Sequence, residues 1–210
     1  DGLLVPPGDF IPVFEENGFV VKLDLYMLET VCRLQESWRE QGYPILPLSV
    51  NQSRLLFYQE SYLDVLRRMV KQYGVTPGSI ILEVTESIAV EDIDRIASII
   101  VRLHEIGFSV SMDDFGSGYS SLNMLKELAI DELKLDQGFL DRTGYEEKSA
   151  VIMRSVIRLA QELHMHTVCE GVETEAQVAM LRSLGCDMAQ GFYYAKPMDA
   201  GRFARLAYNK

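Results

Sequence analysis

The chain has 210 residues, 48% of them hydrophobic and 24% charged, and its 20 Lys and Arg against 31 Asp and Glu give a net charge of −11. That length and composition describe one globular domain able to bury a real core, and they exclude a disordered chain. They also exclude a holder of polymeric nucleic acid, which needs Lys and Arg to displace counterions, and a membrane-spanning helix, since no apolar run reaches ~18 residues. A small anion bridged by metal ions remains compatible with the acidic balance, because bound cations reverse the local sign.

The opening segment, DGLLVPPGDF, lacks the basic start and apolar stretch of a signal peptide and reads as a Gly/Pro loop. Two kinds of segment then alternate. Apolar, β-branched runs at 47–51, 80–86, 108–114, 132–136, 166–172 and 188–194 read as strands. Between them, 54–73, 92–106 and 147–163 carry apolar residues at helical spacing, such as Ile93, Ile96, Ile99, Ile100 and Leu103. Gly74, Gly107 and Gly185 stand where helices should stop, and Thr174 with Gln177 forms a capping box ahead of AQVAMLRSLG. Strand then helix, repeated, predicts a parallel sheet, either open and doubly wound or closed into a barrel. Acidic and amide groups at the ends of many strands favour a barrel of the TIM type, whose chemistry gathers at the carboxyl ends of its strands. Six strands do not close an eight-stranded barrel, so one or two strands are expected ahead of residue 1, and 1–210 reads as a single, N-terminally incomplete barrel domain. The three cysteines, Cys32, Cys169 and Cys186, form no disulfide framework or zinc motif, which points to a reducing cytoplasm.

The adjacent Asp113 and Asp114 follow the strand FSVSM and precede the glycine loop FGSGYSS. Side chains alternate along a strand, so both carboxylates can address one site only where the backbone turns, and two such charges repel unless a cation lies between them. Glu83 with Glu86, and Glu170 with Glu173, repeat a carboxylate pair at other strand ends; Asn51 adds a neutral oxygen. Each taken singly could be a helix-N-terminal or solvated acid. Together they form an oxygen-rich set suited to Mg²⁺ or Mn²⁺. Lys134 stands between Leu133 and Leu135 in a core strand. It either closes an ion pair with Asp136 or Glu132, or points into the acidic mouth, where it steers a water. Gln190 is either a satisfied strand amide or the holder of a water. Gly171 lets the backbone come close to a ligand, and Cys169 should face the helices as a buried free thiol. The three histidines show no metal spacing.

The ordered set LSVN, LEVTES, MDDFGSGYSSL, DELKLD, EGVETEAQ and QGFYYAKPM resembles the EAL domain, the cyclic di-GMP phosphodiesterase family, and the opening LVPPGDFIPVFEENG resembles the segment after the family's namesake motif. The resemblance covers essentially the whole chain. It implies a TIM-like (β/α)8 barrel of the EAL type and hydrolysis of cyclic di-GMP to linear pGpG with two Mg²⁺ or Mn²⁺ ions. It makes Asn51, Glu83, Asp113, Asp114 and Glu170 metal ligands and puts Lys134 against the nucleophilic water. Glu173 and Gln190 would hold waters or the metal, and Glu86 would anchor the FGSGYSS loop. Tyr119 and the residues around Pro197 are candidates to contact guanine. The resemblance further implies a homodimer in the cytoplasm, within a larger signalling protein carrying sensory or GGDEF-type domains. The Glu-Ala-Leu tripeptide itself does not occur in the 210 residues, and a domain without that Glu would be a cyclic di-GMP receptor or interaction module instead.

Overall fold

The computed structural model describes residues 5–89, 92–116, 122–140 and 146–208. They form two compact units, one from the described residues of Asp1–Val84 and Ser98–Ser109, the other from those of Thr85–Ala97 and Val110–Lys210.

The first unit opens with two helices, α1 (Pro7–Glu16) and α2 (Val20–Glu40), where the sequence reading expected a loop and assigned nothing. Pro7 fits the first helical position of α1, because proline's fixed φ suits that turn and its missing N–H would have had no helical acceptor. No residue of α1 is buried; the rings of Phe10, Phe14 and Phe19 instead step along one another at centroid separations of 5.4 and 4.7 Å. Helix α2 buries Val20, Asp24, Leu28, Cys32, Gln35 and Trp38, a stripe at three- and four-residue spacing. Two members of that stripe are polar and Tyr26 and Met27 lie exposed, which blurs the apolar periodicity in the sequence. Gln35 is satisfied by Ser79, whose hydroxyl lies 2.6 Å from its Oε1 and whose carbonyl accepts from its Nε2 at 2.8 Å. Strands β1 (Leu48–Asn51) and β2 (Ile80–Thr85) pair in parallel, with Asn51 in register with Glu83. The expected helix over 54–73 is two, α3 (Arg54–Phe57) and α4 (Tyr62–Tyr73), separated by turns closed through Gln59 N–H to Leu56 O and Tyr62 N–H to Gln59 O. Gly74 ends α4 in the left-handed conformation, as its position predicted. Helix α5 (Ile93–Ile106) follows, stopping at Gly107.

The second unit carries β3 (Ser109–Phe115), α6 (Leu122–Glu127), β4 (Glu132–Leu135), α7 (Glu146–Glu162), β5 (His166–Cys169), α8 (Glu175–Leu184), β6 (Met188–Ala189) and α9 (Ala200–Tyr208). Strands β3, β4, β5 and β6 pair in chain order, all parallel. All four residues of β4 are buried, as expected of a parallel strand covered on both faces. Two aspartates pin the starts of strands: Asp131 accepts from Val110 N–H at 2.7 Å, and Asp187 accepts from the Thr167 amide and hydroxyl, both at 2.8 Å. Helix α8 begins with the predicted Thr174–Gln177 capping box and ends on left-handed Gly185.

Strands β5 and β6 are shorter than the sequence suggested. The chain leaves β5 after Cys169 and turns at Gly171, whose φ is +69°. It leaves β6 after Ala189, where Gly191 lies so close to the backbone of Val172 that an added Cβ would stand 2.1 Å from the Val172 carbonyl oxygen. Among the described residues, no helix is long and apolar enough to cross a membrane.

Candidate functional site

In the second unit three strands bring their ligand-type residues together. Asp113 and Asp114 come from β3, Lys134 from β4, and Glu170 from the residue just after β5. One carboxylate oxygen from each of Asp113, Asp114 and Glu170 lies within 4.8 Å of the other two. Successive residues of a regular strand face opposite sides, so the two aspartates meet only because β3 is irregular. Its register to β4 shifts between Met112 and Phe115, and Asp114 takes a φ of +58°, unusual for a residue with a side chain. The turn that the sequence reading placed at the strand's end is thus a bulge inside the strand. The Asp114 N–H donates to Asp113 Oδ1 at 3.0 Å, which holds the bulge from within.

Lys134 is buried, and its Nζ lies 2.9 Å from Asp113 Oδ1 and 2.7 Å from Glu170 Oε1. Of the two arrangements left open, the ammonium therefore points into the carboxylate cluster; Asp136 instead accepts from Gly138 N–H at 2.8 Å. Glu132 is also buried, and its carboxyl is pushed above the ordinary range by desolvation, with Ser111, Lys134 and His166 opposing. Burial, and then the charges of Asp113, Glu170 and Asp136, raise the Asp114 carboxyl above its usual range, with Lys134 pulling the other way. Negative charge is thus concentrated beyond what one lysine offsets. Three converging carboxylates are hard oxygen donors of the kind Mg²⁺ and Mn²⁺ take, so the donor set fits a divalent cation.

The remaining candidates are placed as follows. Asn51 and Glu83 form a second pair, in the first unit, side by side, Asn51 at the end of β1 and exposed, Glu83 buried inside β2, two residues short of its end. Glu86 is buried in the short helical turn after β2. Glu173 is exposed and lines a cavity of about 380 Å³ with Asp136, Gln137, Gly138, Leu140, Gly171 and Gln177. Gln190 is exposed; its backbone carbonyl accepts from Val172 N–H and its own N–H donates to Cys169 O. Pro197 is exposed, and Tyr119 lies outside the described residues. A close approach is found at Gly171, within the protein itself. The close neighbour is Gln137, whose Cβ would stand 2.5 Å from an added Gly171 Cβ. Asp136 and Gln137 escaped the sequence reading as cavity residues, since nothing in KLDQGF separates a strand-end Asp from a lining one.

The family model of the EAL domain matches residues 1–197. The chain belongs to the EAL domain family. It is 39% identical over 197 residues to the bifunctional diguanylate cyclase/cyclic di-GMP phosphodiesterase MucR of Pseudomonas aeruginosa, covering 94% of this chain and 29% of MucR. It is 36% identical over 195 residues to the cyclic di-GMP phosphodiesterase NbdA of the same organism, covering 93% of this chain and 25% of NbdA. The chain therefore spans less than a third of the length of either relative. Among solved structures it is similar to the PaMucR phosphodiesterase in complex with c-di-GMP, with a TM-score of 0.90 and 37% identity over 97% of this chain and 82% of that one. It is also similar to the EAL domain of Mycobacterium smegmatis DcpA, with a TM-score of 0.79 and 36% identity over 85% of this chain and 81% of that one. The fold is accordingly α/β and TIM-like, as expected from the strand-end chemistry.

Proposed function

We propose that this EAL domain hydrolyses cyclic di-GMP to linear pGpG with divalent metal ions, two Mg²⁺ or Mn²⁺. The observation that carries the reading is the convergence of Asp113, Asp114 and Glu170 within 4.8 Å around the buried Lys134. The c-di-GMP bound in the PaMucR complex supports the choice of ligand. In this reading Asp113, Asp114 and Glu170, with Asn51 and Glu83, hold the cations. Bound there, the cations would offset the charge of the phosphodiester and acidify water at neutral pH. Lys134, held by two carboxylates, acts as a fixed cation that orients the attacking water and the phosphoryl oxygens. Glu173 and Gln190, both exposed, are available to position further waters, while Glu86 steadies the segment after Gly116. Pro197, and Tyr119 outside the described residues, are the candidates to contact the guanines. The same reading makes the domain one module of a longer cytoplasmic signalling protein, acting as a homodimer.

The test is chromatographic. Cyclic di-GMP incubated with the protein and Mg²⁺ or Mn²⁺ should give pGpG, and Asp113→Asn should reduce the rate at least ~10²-fold while the protein stays folded. Binding of cyclic di-GMP without turnover would replace the enzyme by a receptor. Neither binding nor turnover would overturn the reading.

A further inference from the structure

The geometry points to Gln52 as a positioning residue for Asn51 and Glu83, an inference that rests on those two being metal ligands as proposed above. Asn51 ends β1 with an exposed side chain, so packing around that side chain does not fix where its amide oxygen points. The backbone behind it must do so. Gln52 follows directly and is 3% exposed, an unusual burial for a polar side chain at the end of a strand.

Three hydrogen bonds account for it. The Gln52 backbone N–H donates to the carbonyl of Glu83 at 2.8 Å. Its side-chain Nε2 donates to the carbonyl of Asn51 at 2.7 Å, and its Oε1 accepts from the Tyr62 hydroxyl at 3.0 Å. A carbonyl can only accept, which fixes the amide nitrogen toward Asn51 and leaves the oxygen for Tyr62. One residue thereby grips the main chain of both candidate ligands and ties them to α4 through Tyr62, itself 2% exposed. The next residue is held as well, since Ser53 N–H donates to the buried Asp24 at 2.9 Å. A leucine at position 52 would fill the space without burying an amide. A buried amide with both ends bonded costs desolvation and returns one defined geometry, which is what a ligand pair needs and a simple core does not.

The experiment measures Mn²⁺ affinity from the electron paramagnetic resonance signal of free Mn²⁺, alongside thermal unfolding. Three variants are used: Gln52→Met, which keeps the length and loses the side-chain hydrogen bonds, Tyr62→Phe, which loses one hydroxyl, and Leu66→Ala, a buried apolar change one turn along α4 from Tyr62 that removes none of the three hydrogen bonds. Gln52→Met should weaken Mn²⁺ binding by ~10-fold or more, the usual effect of removing a partner that orients metal ligands. Tyr62→Phe should weaken it roughly threefold, in keeping with one net hydrogen bond. Leu66→Ala should lower the melting temperature and leave Mn²⁺ affinity unchanged. Saturating Mn²⁺ should restore much of the hydrolysis lost in Gln52→Met. Wild-type Mn²⁺ affinity in Gln52→Met would overturn the inference while leaving the metal site standing; so would an equal loss in Leu66→Ala, which would mark the effect as general loosening. If Gln52→Met does not fold, Tyr62→Phe decides in the same way. A wild-type protein that binds no Mn²⁺ at all would instead remove the metal reading, and this inference with it.

Discussion

Replacing Lys134 with methionine removes the buried cation and keeps most of the side-chain volume. Asp113, Asp114 and Glu170 would then face one another with oxygens within 4.8 Å and no ammonium between two of them. Two unit charges at that distance and an effective dielectric of 20 repel by about 3.5 kcal/mol. Breaking a buried pair by removing one partner typically costs about 3–5 kcal/mol, so the two estimates agree. Without metal the variant should therefore lose about 3 kcal/mol, a fall in melting temperature of roughly 6–12 °C for a chain of this size. Mg²⁺ should then stabilise Lys134→Met more than it stabilises the wild type, because a divalent cation takes over the missing charge. Hydrolysis at saturating Mg²⁺ should still be down by ~10²–10⁴ in kcat, with little change in KM for cyclic di-GMP, since an orienting cation acts mainly in the transition state. Thermal unfolding and single-turnover hydrolysis on the same sample decide it. If Lys134 served only to hold the fold, kcat would recover once Mg²⁺ had restored the melting temperature. A variant with wild-type stability in the absence of metal would refute the electrostatic argument itself.

Two further outcomes follow from the same geometry. Gly171→Ala forces a side chain into a φ of +69° and a Cβ to 2.5 Å from Gln137, so it should cost at least ~1–2 kcal/mol and, by shifting the adjacent Glu170, depress metal-dependent hydrolysis more than stability; equal losses in both would argue against Glu170 as a ligand. Burial pushes the thiol of Cys32 up to about 11 and that of Cys169 up to about 12, so at pH 7.5 iodoacetamide should leave both unmodified in the native protein and label them in denaturant; mass spectrometry showing rapid native labelling of either would contradict their burial.

Much of the fold from β1 onward was legible in the sequence because its signals are local. The capping box at Thr174 and Gln177 and the glycines after α4, α5 and α8 each act within one turn of chain. Strands β2 and β5 announce themselves as short, mostly buried runs with Ile, Val or Thr. The two opening helices of the first unit were less legible. Helix α2 buries Asp24 and Gln35 on its inner stripe and exposes Tyr26 and Met27 on the outer one, so the 3.6-residue pattern is blurred in both directions. Helix α1 buries nothing and carries Pro12 within it, and a segment with Pro6, Pro7 and Gly8 reads naturally as a loop. The short ends of β5 and β6 depend on Gly171 meeting Gln137 and Gly191 meeting Val172, contacts between residues far apart in sequence.

The site shows the same division between local and distant information. Residue types alone marked Asp113, Asp114, Lys134 and Glu170, because adjacent acids beside an apolar strand are costly unless something positive meets them. Where Lys134 points was not a sequence property: Asp136 is two residues away on the same strand end and Asp113 twenty-one residues back, yet the ammonium lies on Asp113 and Glu170. Strand pairing explains the choice, since β4 lies between β3 and β5 and its inward side chains reach residues from both neighbours. The bulge at Asp114 completes the arrangement. A regular strand would have turned one of the two aspartates to the opposite face and left a single carboxylate on this one. The left-handed backbone at Asp114 costs about 1–2 kcal/mol for a residue with a side chain. His164, in the turn after α7, takes a similar φ of +62°, so a left-handed backbone alone does not mark a site; at Asp114 it does, because there it puts a third carboxylate oxygen beside Asp113 and Glu170.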